Sequence, residues 1–450
     1  MRHNATPPKT DHPQQDKVNT AKSGEGNTYN NDNATQRVPE SEGRSTLDII
    51  MVSAGYCICV SGLFTGSAMA FGLTLLQGLL VSFLGNVIVV AYASAIGYAG
   101  AKERVSTSML VRHSFGRFGS YIVSFVIAIV MLGWYSVQVG FFGETMHALF
   151  PSGGALTSVP VAALWGGILM MITAYVGYRG LSILSKIAVP LIIILAIVAV
   201  VVGVNQKGGL DVIAAMEPAA HLSLGAAVVM VVGSIATAGC AQADITRYSK
   251  TPRAAVLATI LGYLVGNTFI ILAGFITCQA TGNDNMPAAM IAMGLGAPAL
   301  LVLIGAQWTT NDNNLYSASL GFTNIIHVKK KHIVLASGIL ATALGVAGLS
   351  NHFSNWLSIL GVTLPPMAGI IIADYFIVNK RHYEFGAGTV YRQWNVLAFV
   401  AWIIGALVGL FVTFGVPALS SLVVGFIVYL ALMFTLGKSG TGLVGTVTED

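Results

Sequence analysis

The chain has 450 residues, of which 55% are hydrophobic and 9% are charged, and its mean hydropathy is +0.75. A soluble protein of this length carries far more charge, so the composition excludes that class and indicates an integral membrane protein. The net charge of +5 belongs to the loops between apolar segments and does not indicate nucleic-acid binding.

The first predicted element, residues 1–45, is a disordered cytoplasmic tail. Its Asn, Thr, Gln, Pro and Lys residues offer almost nothing to bury. The first apolar run begins near Leu47 and is long enough to remain as a membrane span, which argues against a signal peptide. A transmembrane transporter domain over 46–437 and a short cytoplasmic C-terminal tail over 438–450 complete the predicted organisation.

Long apolar runs predict an all-α polytopic membrane protein with twelve transmembrane helices. We number them spans 1 to 12, and their predicted bounds are 48–72, 75–98, 118–148, 160–177, 182–204, 222–245, 254–278, 292–318, 333–350, 354–377, 394–414 and 418–437. Cations support this count, because 22 of the 23 Lys and Arg residues lie in the first 44 residues or after an even-numbered span, and only Lys207 lies on the other side. Since cationic loops resist translocation, both termini are predicted to be cytoplasmic, in a multi-pass protein of the cytoplasmic (inner) membrane.

Spans 1 and 6 each contain a cluster of Gly, Ser and Thr at mid-depth, over 61–67 and 233–239. Interrupted helices at matching positions of two half-molecules are typical of transporter substrate sites. The offset of five spans predicts two inverted repeats, about 48–204 and 222–377, with two extra spans over 394–437. In the alternative interpretation, the clusters only allow helices to pack closely.

Span 8 carries an unusual polar run from Gln307 to Asn314. A lone Asp at the centre of a lipid-facing helix costs about 2.5–3.5 kcal/mol, so this run must face protein, water or a ligand. The hydroxyls of Thr309 and Thr310 suit a hard monovalent cation. Asparagine side chains, each both donor and acceptor, match a planar amide or amidine solute; they are Asn311, Asn313 and Asn314. Two alternatives are that the run is a loop, and that Asp312 is only a structural hydrogen-bond acceptor.

Span 3 contains Trp134 and Gln138, which share a helix face because they are four residues apart. The indole could stack on a flat ring while the amide bonds to the edge of that ring. In the alternative interpretation, Trp134 is a packing residue.

The string from Trp308 to Ser317, followed by Leu320–Ile325, resembles the eighth span of bacterial cytosine permeases in the nucleobase–cation symporter-1 family. Further similar pieces are Gly100-Ala101-Lys102, Arg112–Gly116, Ile187–Pro190, Gly208–Asp211, Pro365-Pro366 and Ile371–Tyr375. The resemblance runs from about residue 50 to the end of span 12. It implies the LeuT-like fold of two inverted five-span repeats plus two spans, and sodium-coupled uptake of a nucleobase.

The resemblance also implies two sets of site residues. The implied sodium ligands are the carbonyls of Cys59, Gly62 and Ala306 and the hydroxyls of Thr309 and Thr310. The implied substrate residues are Trp134, Gln138, Ser234, Ile235, Thr237, Asn311, Asn313 and Asn314. Two positions depart from cytosine permeases: Ile235 replaces their usual aromatic residue, and the spacing of Trp134 and Gln138 is similar to that of hydantoin transporters.

The sequence therefore predicts a secondary active transporter that takes up cytosine or a related nucleobase with sodium, acting by alternating access. Proton-coupled transport of a purine, uracil or a hydantoin is the nearer alternative, and a membrane nutrient sensor that binds a base without moving it is the more distant one. Catalytic groupings and channel motifs are not found in the spans. Expected partners are a nucleobase, sodium and membrane lipid, with no cofactor, nucleic acid or obligate protein partner.

Overall fold

The computed structural model describes residues 36–448 except 177–178, 324, 326–327, 329, 387, 413 and 438–441. Seven described helices are long and apolar enough to cross a membrane, and a helix pair bent by 47° makes a further span. Three other apolar helices are shorter, and Gly296–Thr323 is long but polar at its centre. This set is consistent with the twelve predicted spans.

The bounds of the spans are as follows: Thr46–Cys57 with Val60–Met69 (span 1), Leu75–Glu103 (2), Gly119–Leu149 (3), Val159–Val176 (4), Arg179–Lys207 (5), Leu224–Cys240 with Ala243–Thr246 (6), Pro252–Thr259 with Ile260–Asn267 and Thr268–Thr281 (7), Gly296–Thr323 (8), Lys330–Val346 (9), Phe353–Thr363 with Pro365–Ala373 and Asp374–Val378 (10), Val396–Phe411 (11) and Pro417–Thr435 (12). Short helices are Glu40–Glu42, Thr107–Phe115, Gly154–Thr157, Leu210–Ala214, Met286–Ala292 and Leu349–His352. Two strands, β1 (Val390–Asn395) and β2 (Leu443–Thr448), pair antiparallel.

Helix packing follows the predicted five-span repeat. Span 2 packs against span 6. The repeat relates span 2 to span 7 and span 6 to span 1, and spans 7 and 1 also pack closely. Span 3 lies along both span 4 and span 8. A polar helix such as span 8 is therefore shielded from lipid by its neighbours, which is what its composition requires.

The positions of the two predicted interruptions are wrong. Span 1 breaks at Ile58–Cys59, before the glycine cluster, and span 6 is helical through its cluster to Cys240. The glycines serve close packing instead: a Cβ at Gly66 would lie 1.9 Å from the carbonyl oxygen of Ile271, and one at Gly233 would lie 1.8 Å from that of Leu357. Close packing of helices is thus the role of these glycines.

Residues 36–45 are attached to the helix bundle by one buried side chain and several polar contacts, which differs from the expectation of disorder up to residue 45. Val38 is 2% exposed, and its N–H donates to the carbonyl of Arg104 at 2.8 Å. Arg37 pairs with Glu103 at 3.1 Å, and the N–H of Arg44 donates to the carbonyl of Tyr248 at 2.7 Å. Residues 1–35 of the predicted tail lie outside the described residues.

The predicted C-terminal tail is also partly ordered, since its residues 443–448 form β2. This strand pairs with the connection between spans 10 and 11, and Arg117 donates to the carbonyl of Thr448 at 3.0 Å. The segment 36–45 and the sheet lie on the same end of the helix bundle, which we call the terminal face; the opposite end is the far face.

A buried carboxylate holds the terminal ends of spans 10 and 12 together. Asp374 is 0% exposed and accepts hydrogen bonds from Tyr383 (2.5 Å), Tyr429 (2.6 Å) and Asn379 (2.9 Å). The guanidinium of Arg392 lies 3.6 Å away. Burial, together with the neighbouring carboxylate, raises the pKa of Tyr383 well above its usual range, so its hydroxyl stays protonated and donates.

Candidate functional site

A cavity of about 110 Å³ lies where spans 1, 3, 6 and 8 meet. Its size limits any occupant to a small solute. The residues that line it are Gly55, Tyr56, Cys59, Ser61, Met131, Trp134, Gln138, Ser234, Ile235, Thr237, Ala238, Thr310, Asn313 and Asn314. Every predicted substrate residue except Asn311 is among them.

Span 3 contributes the aromatic wall. Trp134 is 7% exposed, and its ring is held edge-on by Phe353 and Trp356 of span 10, with centroids 6.2 and 6.4 Å away. Trp356 fits there because its neighbour on span 3 is Gly133, where a Cβ would lie 2.2 Å from the indole. The indole of Trp134 is therefore fixed in orientation before any ligand arrives, as a stacking surface should be.

Two buried polar side chains in the cavity wall lack partners. Gln138 is 0% exposed, yet neither its amide oxygen nor its amide nitrogen has a hydrogen-bond partner among the described residues. The hydroxyl of Thr237, 4% exposed, also has none there, whereas Ser234 donates to the carbonyl of Val231 at 2.7 Å. An unsatisfied buried group costs about 1–3 kcal/mol. A solute with an adjacent donor and acceptor would satisfy Gln138.

Asn311 does not belong to the cavity, which corrects its predicted role. It is 0% exposed, and its amide nitrogen lies 3.1 Å from the carbonyl of Tyr135 and 3.3 Å from the sulfur of Met170. These contacts join span 8 to spans 3 and 4. Asn313 donates to the carbonyl of Thr309 at 3.1 Å, which leaves its side-chain oxygen available to accept.

Asp312 also faces away from the cavity. It is 1% exposed, and the hydroxyl of Thr173 in span 4 donates to its carboxylate at 2.8 Å. Thr173 in turn accepts the indole N–H of Trp308 at 2.9 Å. This geometry supports the structural interpretation of Asp312, as an acceptor that joins spans 4 and 8.

The predicted sodium ligands of span 8 lie together. The hydroxyls of Thr309 and Thr310 both donate to the carbonyl of Ala306, at 3.0 and 2.9 Å. Each hydroxyl oxygen keeps lone pairs for a cation, whereas the carbonyl of Ala306 is already shared and is the least free of the set. This neutral oxygen set fits a hard monovalent ion.

The predicted sodium ligands of span 1, Cys59 and Gly62, lie at the break in that span and just after it. Cys59 lines the cavity together with Thr310, and its carbonyl accepts the N–H of Gly62 at 3.0 Å. Gly62 is helical and packs on Ile270 of span 7. The break thus brings Cys59, rather than Gly62, to the cavity wall.

Aromatic rings stack further along spans 1 and 3, beyond the cavity-lining residues of those spans in the direction of the far face. Phe64 of span 1 and Phe141 of span 3 are parallel, with centroids 3.8 Å apart, and Phe353 of span 10 meets Phe141 edge-on at 5.0 Å. Beyond them, Asn285 donates to the carboxylate of Glu144 at 3.0 Å. The cavity-lining residues of spans 1 and 3 all precede Phe64 and Phe141 in the chain and so lie on the terminal-face side of this stack.

Some lining residues were not predicted: Gly55, Tyr56, Ser61, Met131 and Ala238. One signal was available, because Tyr56 lies only three residues before Cys59, just ahead of the polar cluster of span 1. Met131 and Ala238 are ordinary apolar residues whose place depends on tertiary packing alone.

Comparison with known proteins establishes the family and the fold of the chain. Residues 37–439 match the family of permeases for cytosine/purines, uracil, thiamine and allantoin. The cytosine permease of Escherichia coli strain K12 is 34% identical over 415 residues, which cover 92% of this chain and 97% of that protein.

Two solved structures share the fold. The inward-facing conformation of Mhp1 has a TM-score of 0.78 at 18% identity, covering 90% of this chain and 95% of that one. A closed conformation of Mhp1, a nucleobase-cation-symport-1 family transporter with bromovinylhydantoin bound, has a TM-score of 0.74 at 18% identity, covering 91% and 96%. These matches confirm the expected all-α, LeuT-like architecture. With a family match over most of its length, this chain belongs to the permeases for cytosine/purines, uracil, thiamine and allantoin, and it is a multi-pass membrane transporter rather than an enzyme.

Proposed function

We propose that this protein couples the uptake of cytosine, or a closely related nucleobase, to sodium entry across the cytoplasmic membrane. The observation that carries the proposal is the cavity beside Trp134, in which the amide of Gln138 and the hydroxyl of Thr237 have no hydrogen-bond partner among the residues that the structure describes. A nucleobase offers a flat face for the indole and an edge with a neighbouring donor and acceptor for the amide. The cytosine permease of Escherichia coli, 34% identical, supports the choice of base.

The concentration of Lys and Arg residues on one side of the spans supports a cytoplasmic location of the terminal face. The cavity-lining residues of spans 1 and 3 then lie on the cytoplasmic side of the stacked rings of Phe64 and Phe141. In alternating access, the bundle of spans 1, 2, 6 and 7 rocks against spans 3, 4, 8 and 9. Because Phe64 and Phe141 belong to opposite groups, opening to the outside requires their stack to separate. Sodium bound between spans 1 and 8 would favour the outward-open state and order the substrate residues.

Flux measurements test the proposal directly. Purified protein in liposomes should accumulate radiolabelled cytosine when an inward sodium gradient is imposed, and a negative interior should increase the rate because the cycle carries net positive charge. A thermal-shift screen with cytosine, uracil, adenine, guanine, xanthine and hydantoin, with and without sodium, identifies the base. Binding without flux would instead favour the sensor.

Thr310→Ala is expected to raise the sodium concentration for half-maximal transport about tenfold, equivalent to about 1.4 kcal/mol, because one neutral oxygen ligand is lost. The measurement is the sodium dependence of cytosine flux. Thr363→Ala is the matched control, since Thr363 has the same hydrogen bond to the carbonyl four residues earlier (2.7 Å, against 2.9 Å for Thr310) but does not line the cavity. Unchanged sodium activation in the Thr310 variant would remove the assigned site.

Asp312→Asn distinguishes sodium from proton coupling. The carboxylate bonds to Thr173 and not to the cavity, so the variant should still transport and should still require sodium. Flux is compared under a sodium gradient and under a proton gradient. A folded variant that has lost gradient-driven accumulation but still exchanges substrate would favour the proton-coupled alternative.

A further inference from the structure

Tyr56 is a large aromatic residue of the cavity wall that neither the sequence nor the comparisons singled out. It lies in the last turn of the first helix of span 1, and 44% of its surface is exposed. Ile49, Ser53 and Cys57 are the buried residues of that helix. Their spacing of four defines one face, which packs against span 7. Tyr56 is offset from this face and borders the cavity.

The ring of Tyr56 has no partner that explains its position. Among the described residues its ring contacts no other ring and its hydroxyl makes no hydrogen bond, although Trp134 lines the same cavity. The two aromatic walls are therefore separated by cavity space rather than packed on each other. Tyrosine combines an apolar ring with a polar tip, which suits contact with a solute that is flat and polar at its edge.

We propose that Tyr56 contacts the transported solute, its ring covering the side nearest the terminal face and its hydroxyl bonding to the polar edge. This inference rests on the proposed function. The Tyr56 hydroxyl is a third polar group beside the amide of Gln138 in span 3 and the hydroxyl of Thr237 in span 6. Neither of those two side chains has a hydrogen-bond partner in the described structure. A solute that bonds to all three joins spans 1 and 6 to span 3, the two groups that must move relative to each other. Tyr56 thereby also limits ring substituents on that side, which makes it a specificity-determining residue.

The test is a thermal-shift titration of the full-length protein with each base of the panel and with 5-methylcytosine, at saturating sodium. Tyr56→Ala should weaken binding of the preferred base roughly 5- to 100-fold, the range for loss of one aromatic stacking partner. Tyr56→Phe should weaken it by about three- to tenfold through loss of one hydrogen bond. The alanine variant should also change the rank order of substituted bases, because space opens beside the ring, and a purely structural role would not alter that order.

Tyr98→Ala is the control, because Tyr98 contacts Phe376 (5.8 Å between centroids) and does not line the cavity. Wild-type affinity and rank order in Tyr56→Ala would overturn the inference, and wild-type affinity in Tyr56→Phe alone would overturn the hydroxyl contact. Failure of the wild-type protein to bind any base contradicts the proposed function instead, so the two failures are distinguishable.

Discussion

Replacing Gln138 with leucine should weaken nucleobase binding by about 10- to 100-fold while leaving the unliganded protein at least as stable as the wild type. The amide is fully buried and has no hydrogen-bond partner in the described structure. Its loss therefore removes bonds to the solute but none within the protein. One or two hydrogen bonds at about 1–1.5 kcal/mol each account for the size of the effect. Binding is measured by thermal-shift titration, and stability by the unfolding temperature without ligand.

Gln279→Leu provides the opposite control. Gln279 is also a buried glutamine of a membrane span, but its amide donates to the carbonyls of Ala70 and Leu73, both at 3.0 Å. This variant should lose stability by about 1–3 kcal/mol while any folded protein keeps its affinity for the base. Should Gln138→Leu destabilise the unliganded protein and leave binding unaltered, the amide would be a structural group and the site assignment would be wrong.

Gly233→Ala should prevent accumulation of folded protein. The added Cβ would lie 1.8 Å from the carbonyl oxygen of Leu357 and 3.0 Å from the backbone nitrogen of Gly361. These are backbone atoms of span 10, so spans 6 and 10 would have to separate over a shared length. Overpacking of this kind typically costs 1–3 kcal/mol and more where backbone must move. The amount of monodisperse protein in size-exclusion chromatography after extraction measures the loss.

Gly305→Ala is the matched control in span 8, because a Cβ at Gly305 meets nothing within 4 Å. This variant should fold at least as well as the wild type, since alanine favours a helix over glycine by about 1 kcal/mol. Equal yields of the two variants would show that spans 6 and 10 are not in backbone contact at Gly233.

The substrate residues of span 3 could be predicted from the sequence because helix periodicity alone places Trp134 and Gln138 on one face. The same periodicity, applied to span 8, indicates that the three asparagines cannot all face one way, because Asn311 and Asn313 are two residues apart and lie on nearly opposite faces. Thr310, Asn313 and Asn314 line the cavity, whereas Asn311 contacts spans 3 and 4. Residue type suggested three equivalent asparagines, and position on the helix separates them.

Other features depend on contacts between distant segments and could not be predicted from local composition. Glycine clusters are compatible both with broken helices and with close packing, and only the neighbours of Gly66 and Gly233 decide for packing. Similarly, the N–H of the tail residue Val38 bonds to the carbonyl of Arg104, far along the chain. The predicted C-terminal tail, 438–450, includes a strand because β1 supplies its partner.

The pairing of β2 with β1 has a practical consequence for labelling this transporter. Val390 lies opposite Thr448, and Arg117 donates to the carbonyl of Thr448, so residues 443–448 are held against the terminal face near the start of span 3. A fluorescent protein attached close to Thr448 would crowd this sheet, so a flexible spacer is needed between them. Conversely, a small dye attached to β2 would report the movement of the terminal face rather than its own tumbling.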